Sequence, residues 1–424
     1  MELLENPVRQ YSWGSRTAIA ELQGRPVPTP HPEAEMWLGA HPGDPSYLVD
    51  GHGGRRSLLD ELTADPAAGL GEEGAGRWSG RLPFLFKVLA AEEPLSLQAH
   101  PSPEQAAAGY AQEEAAGVPV DAPRRNYKDA SHKPEIICAL TEFHALGGFR
   151  APVDTVRLLR ALAVPELDAH IELLARQPDA DGLRALLSTW ITLPQLVLEQ
   201  LVPAAQEGCL RLLRQADAGG PDAETAAGFR AEARTILELS ERYPGVTGVL
   251  AASLLNRVTL QPGEAMFQPS GMLHAYLSGV GVELMANSDN VLRGGLTPKH
   301  VDVPELLRVL DFRPGPAPVV GSTVEGALTG YDRMTDEFRL WRVDWARANR
   351  DEVVPLPTDG PRIVLCTAGR ATVTTAAGRE LSIGRGESLW LGAGDTGARA
   401  TATETPTQLF VATDGQCRPA RWDQ

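Results

Sequence analysis

From about residue 151 to 255, apolar residues recur at three- and four-residue spacing across a hundred positions. The segments "VDTVRLLRALA", "ELDAHIELLARQ", "DGLRALLSTWI", "LPQLVLEQLVPAAQEGCLRLLRQ" and "AETAAGFRAEARTILELSERY" each carry an apolar stripe of helical period. On either side of this region the pattern changes to short apolar runs cut by Gly, Pro and Asn, which reads as strands and turns. The chain is therefore expected to be mainly β, with an all-α domain over 151–255 inserted into, or appended between parts of, a β framework.

Within residues 1–150, strands and turns are expected over 1–50, and "RRSLLDELTAD" (55–65) supplies one short helical pattern in a polar, Gly-rich stretch. Two strand-like runs follow at 82–91 and 94–100. Residues 102–117 read as a helix, with Ser102 as N-cap and Pro103 at the first helical position. Another strand-like run spans 134–149. Strands return from 256, a helix is expected over 303–312, and the last hundred residues are short strands. "PGEAMFQPSG" (262–271) aligns without gaps on "RGESLWLGAG" (385–394), and the same alignment sets Gly397 opposite His274. The expected architecture is two related β-barrel domains. One is built from 1–150 and 256–315; the other, 316–424, lacks the histidine and with it a metal site.

With 55 acidic against 39 basic residues, the formal charge of −16 disfavours nucleic acid and anionic membranes as partners. No run approaches a membrane span, and the first residues lack a basic stretch followed by an apolar one, so the cytoplasm is the expected compartment. Cys138, Cys209, Cys366 and Cys417 are widely spaced and read as buried or inert thiols. The expected assembly is a monomer or weak homo-oligomer.

Polar residues sit in register on otherwise apolar strands. In "PLSLQAHP" (94–101), Leu95, Leu97 and Ala99 fall on one face, and Ser96, Gln98 and His100 on the other. Burying such a row without partners costs about 1–3 kcal/mol per group, so it must face water, a polar network, or a metal and its substrate. Lys133 and Glu135 alternate in the same way, His274 lies in "PSGMLHAY", and Glu283 lies in "VELMANSD". Two imidazoles, a carboxylate and a carboxamide make a four-ligand set that suits zinc, with iron or manganese open. Taken singly, His100 and Glu135 read as hydrogen-bonded structural residues, and His31, His41, His52, His144 and His170 are assigned no more than that. The loop "NSDNVLRGGLTPKH" (287–300) adds Asp289, Arg293 and Lys299, a local basic set able to hold a phosphate in an acidic protein.

The strings "SWGS", "EMWLGAHP", "FLFKVLAAEEPLSLQAHPS", "NYKDASHKPEI", "QPGEAMFQPSGMLHAYLSG" and "VELMANSDNVLRGGLTPKHVDVPELLRVLDF" together resemble the type I phosphomannose isomerases, from about residue 10 to 312. That resemblance implies a zinc-dependent cupin enzyme, its barrels jelly-roll domains, that interconverts mannose 6-phosphate and fructose 6-phosphate. It makes Gln98, His100, Glu135 and His274 the ligands of one zinc per chain. It matches Arg293 to an active-site arginine, and Lys87, Ser96, Lys133 and Glu283 to residues lining the pocket. His144 and Gly147 depart from the pattern of many relatives, off the ligand set. The reaction expected is aldose–ketose isomerisation through a cis-enediol. Glu283, Asp289, His132 and Lys133 are the candidates for moving protons, and Lys87, Ser96 and Lys299 for binding the sugar phosphate. Three readings compete: a relative acting on another sugar or sugar phosphate, a two-His-one-carboxylate iron oxygenase, and a cupin that binds sugar without catalysis.

Overall fold

The computed structural model describes residues 1–50, 53–218, 220, 223–357 and 360–416. His52 and Cys417 lie outside the described residues. The fold is mixed α/β with large antiparallel sheets: one of nine strands, one of ten and one of four. Helices occupy most of Pro152–Ala252, as the periodicity predicts, and the longest runs Gln195–Ala218.

The long strand His274–Ala286 organises the ten-stranded sheet. One end pairs with Phe143–Phe149 and Leu97–Ala99, and the other with Phe84–Ala91 and Glu135–Ala139. The strand Phe84–Ala91 is buried along its whole length, so both of its faces are covered. Phe84, Phe86, Val88 and Ala90 share a core with Ile363, Trp390 and Phe410 of the nine-stranded sheet and with Phe338 just before its strand Arg339–Trp345. Burial of each such large side chain contributes about 1.5–3 kcal/mol. The opposite face carries Leu85, Lys87 and Leu89 inward.

Three sequence expectations need adjustment. Residues Pro66–Arg77 are helical after Leu58–Ala64, in two pieces that meet at a kink at Gly71 (φ 78°); their four glycines mask the pattern, but Asp65 caps the first piece by accepting from the Ala68 amide, and Pro66 opens it. The 134–149 run is two strands, Glu135–Ala139 and Phe143–Phe149, and the 94–100 run is a strand only over Leu97–Ala99. The apolar face of that short strand packs with the helical layer, since Leu97 and Ala99 share a core with Leu158, Leu186 and Leu250.

The chain start belongs to the far sheet. Glu2–Glu5 pairs with Ser388–Leu391 on one side and Tyr47–Val49 on the other, and the Met1 ammonium lies 2.6 Å from Asp395. The aligned decapeptides occupy matching elements: Ala265–Gln268 and Ser388–Leu391 are both strands at the offset the alignment demands. The expected helix after Ser102 runs Pro103–Ala115, with a reciprocal capping box between Ser102 and Gln105.

Candidate active site

Antiparallel register sets the site. Directly opposed residues share a face, and His274 is opposite Gln98, Gln98 is opposite Arg293, and Glu135 is opposite Gln268. His100 follows immediately after its strand. The ligand-capable atoms of His100, Glu135 and His274 all lie within 4.8 Å of one another, and all three residues are buried. Each imidazole Nε2 stands 3.4 Å from a different oxygen of Glu135.

Both imidazoles are oriented from behind. His100 Nδ1 donates to the Asn290 carbonyl at 2.7 Å, and His274 Nδ1 to the Met272 carbonyl at 3.0 Å. With the proton on Nδ1, the Nε2 lone pair of each ring points at the common centre, the arrangement a metal-binding histidine needs. His100 Nε2 is buried without a hydrogen-bond partner among the described residues. Burial, with Lys133 and His274 nearby, pulls the His100 imidazole down to about 4 against the attraction of Glu135, so it is neutral at pH 7. Burial opposes the charge on Glu135, but Lys133 and the two histidines outweigh it and hold its carboxyl well below the usual range. Two imidazole nitrogens and an anionic oxygen fit a divalent cation of the zinc type.

Around this centre the wall is charged and tightly paired. Lys133 Nζ lies 2.8 Å from Glu135 Oε1. Lys87 Nζ lies 3.0 Å from Glu283 and 3.6 Å from Glu35, and the Tyr276 hydroxyl donates to Glu283 at 2.9 Å. Burial works against the Lys87 charge, yet Glu283 and Glu35 raise its pKa above the ordinary lysine value. Arg293, Lys299 and Lys128 form no ion pair among the described residues. Lys299 is lowered by burial and by the charges of Arg293 and Lys128. Like charges gathered without a carboxylate partner make an anion site.

Residues 1–152 match the family model "Phosphomannose isomerase type I, catalytic domain". The mannose-6-phosphate isomerase of Escherichia coli is 38% identical over 400 residues, covering 93% of this chain and 96% of that protein. That of Rattus norvegicus is 34% identical over 411 residues, with 92% of each chain covered. The chain belongs to the type I phosphomannose isomerase family. A crystal structure of a variant phosphomannose isomerase from Salmonella typhimurium superposes with a TM-score of 0.85 at 36% identity, over 98% of this chain and 99% of that one. A zinc-bound mannose 6-phosphate isomerase gives 0.84 at 36% identity, over 97% of this chain and 99% of that one.

For this family member the structure divides the sequence-derived candidates into groups. His100, Glu135, His274 and Lys133 converge. Gln98 and Arg293 flank them in register, Gln98 donating to the Ser96 hydroxyl at 3.1 Å. Lys87 and Glu283 form the adjoining pair. His132 and Asp289 line a cavity of about 900 Å³ together with Lys128; the three clustered ligands, Arg293 and Lys87 are not in its wall, although the Lys133 charge acts on Asp289. There Asp289 meets His41 at 3.5 Å, an interaction that together with the local positive charge holds its carboxyl at about 2.

Several contributing residues escaped the sequence reading. His41 was assigned a structural role but is buried in the cavity wall against Asp289. Glu35, Trp37 and Tyr276 complete the Lys87–Glu283 network, Trp37 Nε1 donating to Glu35 at 2.7 Å. Asn290 is fully buried: its side chain accepts from the Lys128 and Asp129 amides and donates to the Asp129 and Ser131 carbonyls, while its own carbonyl holds His100. The buried Gln268 carboxamide, beside Glu135 in register, has no hydrogen-bond partner among the described residues. Gly147, one of the departures from the family pattern, is opposite His274. Period-two alternation within "VELMANSDN" was the available signal for Glu283; for Asn290, whose partner Asp129 lies 161 residues away in the chain, there was none.

Proposed function

We propose that this protein is a zinc-dependent aldose–ketose isomerase that interconverts mannose 6-phosphate and fructose 6-phosphate through a cis-enediol. The observation that carries the reading is the convergence of His100, Glu135 and His274, their outer nitrogens tied to carbonyls, beside an unpaired basic group. We assign Gln98 as the fourth ligand, since its register with His274 and Arg293 supports it. Zinc, when bound, supplies Lewis acidity that lowers the cost of negative charge on the sugar oxygens.

The remaining work falls to side chains. Arg293 and Lys299, with Lys128, hold the phosphate, and Arg293, which stays cationic at neutral pH, also steadies developing enediolate charge. Lys133, beside Glu135, and Glu283, hydrogen-bonded to Lys87 and Tyr276, are the candidates for shuttling the carbon proton. Burial together with the Glu135 and Glu35 charges raises the Glu283 carboxyl, against the pull of Lys87, in the direction a proton carrier needs. His132 and Asp289, in the adjoining cavity, are assigned to proton handling at the sugar hydroxyls, and Lys87 and Ser96 to lining the pocket.

In domain terms we read 1–150 and 256–315 as a catalytic cupin jelly roll that lends the strands Glu2–Glu5, Tyr47–Val49 and Arg55–Ser57 to its neighbour. We read 151–255 as the helical domain and 316–424 as a metal-free cupin-like domain. A cytoplasmic enzyme, monomeric or weakly self-associating, agrees with the acidic charge and with the finding that, among the described residues, no single helix is long and apolar enough to cross a membrane. A substrate panel tests the reading. Mannose 6-phosphate and fructose 6-phosphate should interconvert, and free mannose should turn over far more slowly because it lacks the group Arg293 and Lys299 would grip. Equal rates with free mannose would reassign the substrate. Oxygen uptake with bound iron and no isomerisation would replace the reaction class.

A further inference from the structure

Among the described residues, His132 makes its one side-chain hydrogen bond across the molecule. Its Nε2 lies 2.6 Å from Glu337 Oε1, 205 residues further along the chain. Glu337 belongs to the short connection between the strands Leu328–Tyr331 and Arg339–Trp345 of the nine-stranded sheet. The connection is pinned on both sides of the carboxylate. Thr335 donates its hydroxyl to Glu337 Oε2, and the next residue, Phe338, is buried in the core that joins the two large sheets. His132 and Glu337 are both mostly buried, with side chains 22% and 19% exposed, and both line the 900 Å³ cavity that also holds Asp289 and His41. The loop before His132 is fixed independently through Asn290, which binds Asp129 and Ser131.

We infer that Glu337 is a positioning residue for His132, so that the metal-free C-terminal unit supplies part of the catalytic apparatus of the other. The inference rests on the reading of His132 as a proton-handling group. A neutral imidazole has one N–H; donating it from Nε2 to Glu337 makes Nδ1 the acceptor and fixes the ring plane. Among the described residues His132 Nδ1 has no partner. It is thus able to take a proton from a sugar hydroxyl in the cavity and return it within the same turnover, with no net change at the protein. The carboxylate stabilises the imidazolium formed between the two transfers.

The test compares Glu337→Ala and Glu337→Gln with the parent enzyme in zinc content, thermal midpoint, kcat and KM for mannose 6-phosphate. The ¹⁵N shifts of His132, assigned by difference from His132→Asn, are measured alongside. The expected result is a fall in kcat of about 10- to 100-fold for Glu337→Ala, the size found for outer partners that orient a histidine. KM and zinc content should change little, and the His132 shifts should move from a protonated Nε2 toward a mixture of tautomers. Glu337→Gln keeps an acceptor and should recover part of the loss. Unchanged kcat in Glu337→Ala would overturn the inference. So would a fall accompanied by lost zinc or a raised KM while the His132 shifts stay put, because that pattern marks general structural damage. Absence of turnover in the parent would sink the proposed reaction instead, and the ¹⁵N shifts would still decide whether Glu337 sets the tautomer.

Discussion

At the scale of single residues, the site depends on buried charges that are tolerable only in company. Lys87 is 6% exposed and is balanced by Glu283 and Glu35. Lys87→Met should therefore destabilise the fold by about 3–5 kcal/mol, because it leaves carboxylates buried without their cation. Adding Glu283→Gln should return part of that loss, as denaturant unfolding would show; equal stability of Lys87→Met and the parent would refute the coupling. Asn290→Ala should cost about 2 kcal/mol or more, since it strips partners from two amides and two carbonyls at once. It should also lower kcat by loosening the loop that carries His132 and Lys133. Polar residues on or beside apolar strands were enough to pick out the clustered histidines and Glu135: His100 follows Leu97–Ala99, and Glu135 and His274 open their strands. Asn290, His41 and Glu337 carried no such signal: their roles arise from partners far along the chain.

At the scale of elements, the helical stretch was legible because its period persists for a hundred residues, whereas the helix Pro66–Arg77 was not, since glycines at 69, 71, 74 and 76 erase the apolar stripe. Its cap, Asp65 followed by Pro66, was the overlooked cue. Glycine can also mark a close approach rather than a break. Gly109 lies inside the helix Pro103–Ala115, where replacement by alanine would ordinarily stabilise by about 0.5–1 kcal/mol. Here a Cβ would come 2.4 Å from the Tyr127 ring, whose hydroxyl donates to Glu305. Gly109→Ala should therefore lower the thermal midpoint; a raised midpoint would show that Tyr127 is free to move.

At the scale of the whole molecule, the first strand was legible as a strand but its sheet was not. Glu2–Glu5 pairs with Ser388–Leu391, nearly the full chain length away, and no local pattern encodes that choice. The two large sheets consequently share one apolar core, and Glu337 extends the link into the cavity. Burial works to raise the Glu337 carboxyl, but the hydrogen bonds from His132 and Thr335 prevail and hold it at about 2. A folded value below the ordinary carboxylate value, about 4.3, means that its contribution to stability is complete above that pH and lost as pH falls toward 2. The stability gap between the parent and Glu337→Gln should narrow from about pH 5 downward; a gap that widens in acid would reverse the assignment. Burial also raises the thiols of Cys138, Cys209 and Cys366, to about 11, 12 and 12. In a Cys417→Ser protein, a thiol reagent should find no reactive group until the chain is unfolded, and then three.

The most direct measurement of the central claim is made on one preparation: zinc per chain by elemental analysis, with mannose 6-phosphate turnover before chelation, after it, and after zinc is returned. One zinc per chain is expected, with activity lost with the metal and recovered with it, and neither zinc nor activity in His274→Ala. Full turnover in the chelated protein, or one tightly held zinc in His274→Ala, would contradict that claim.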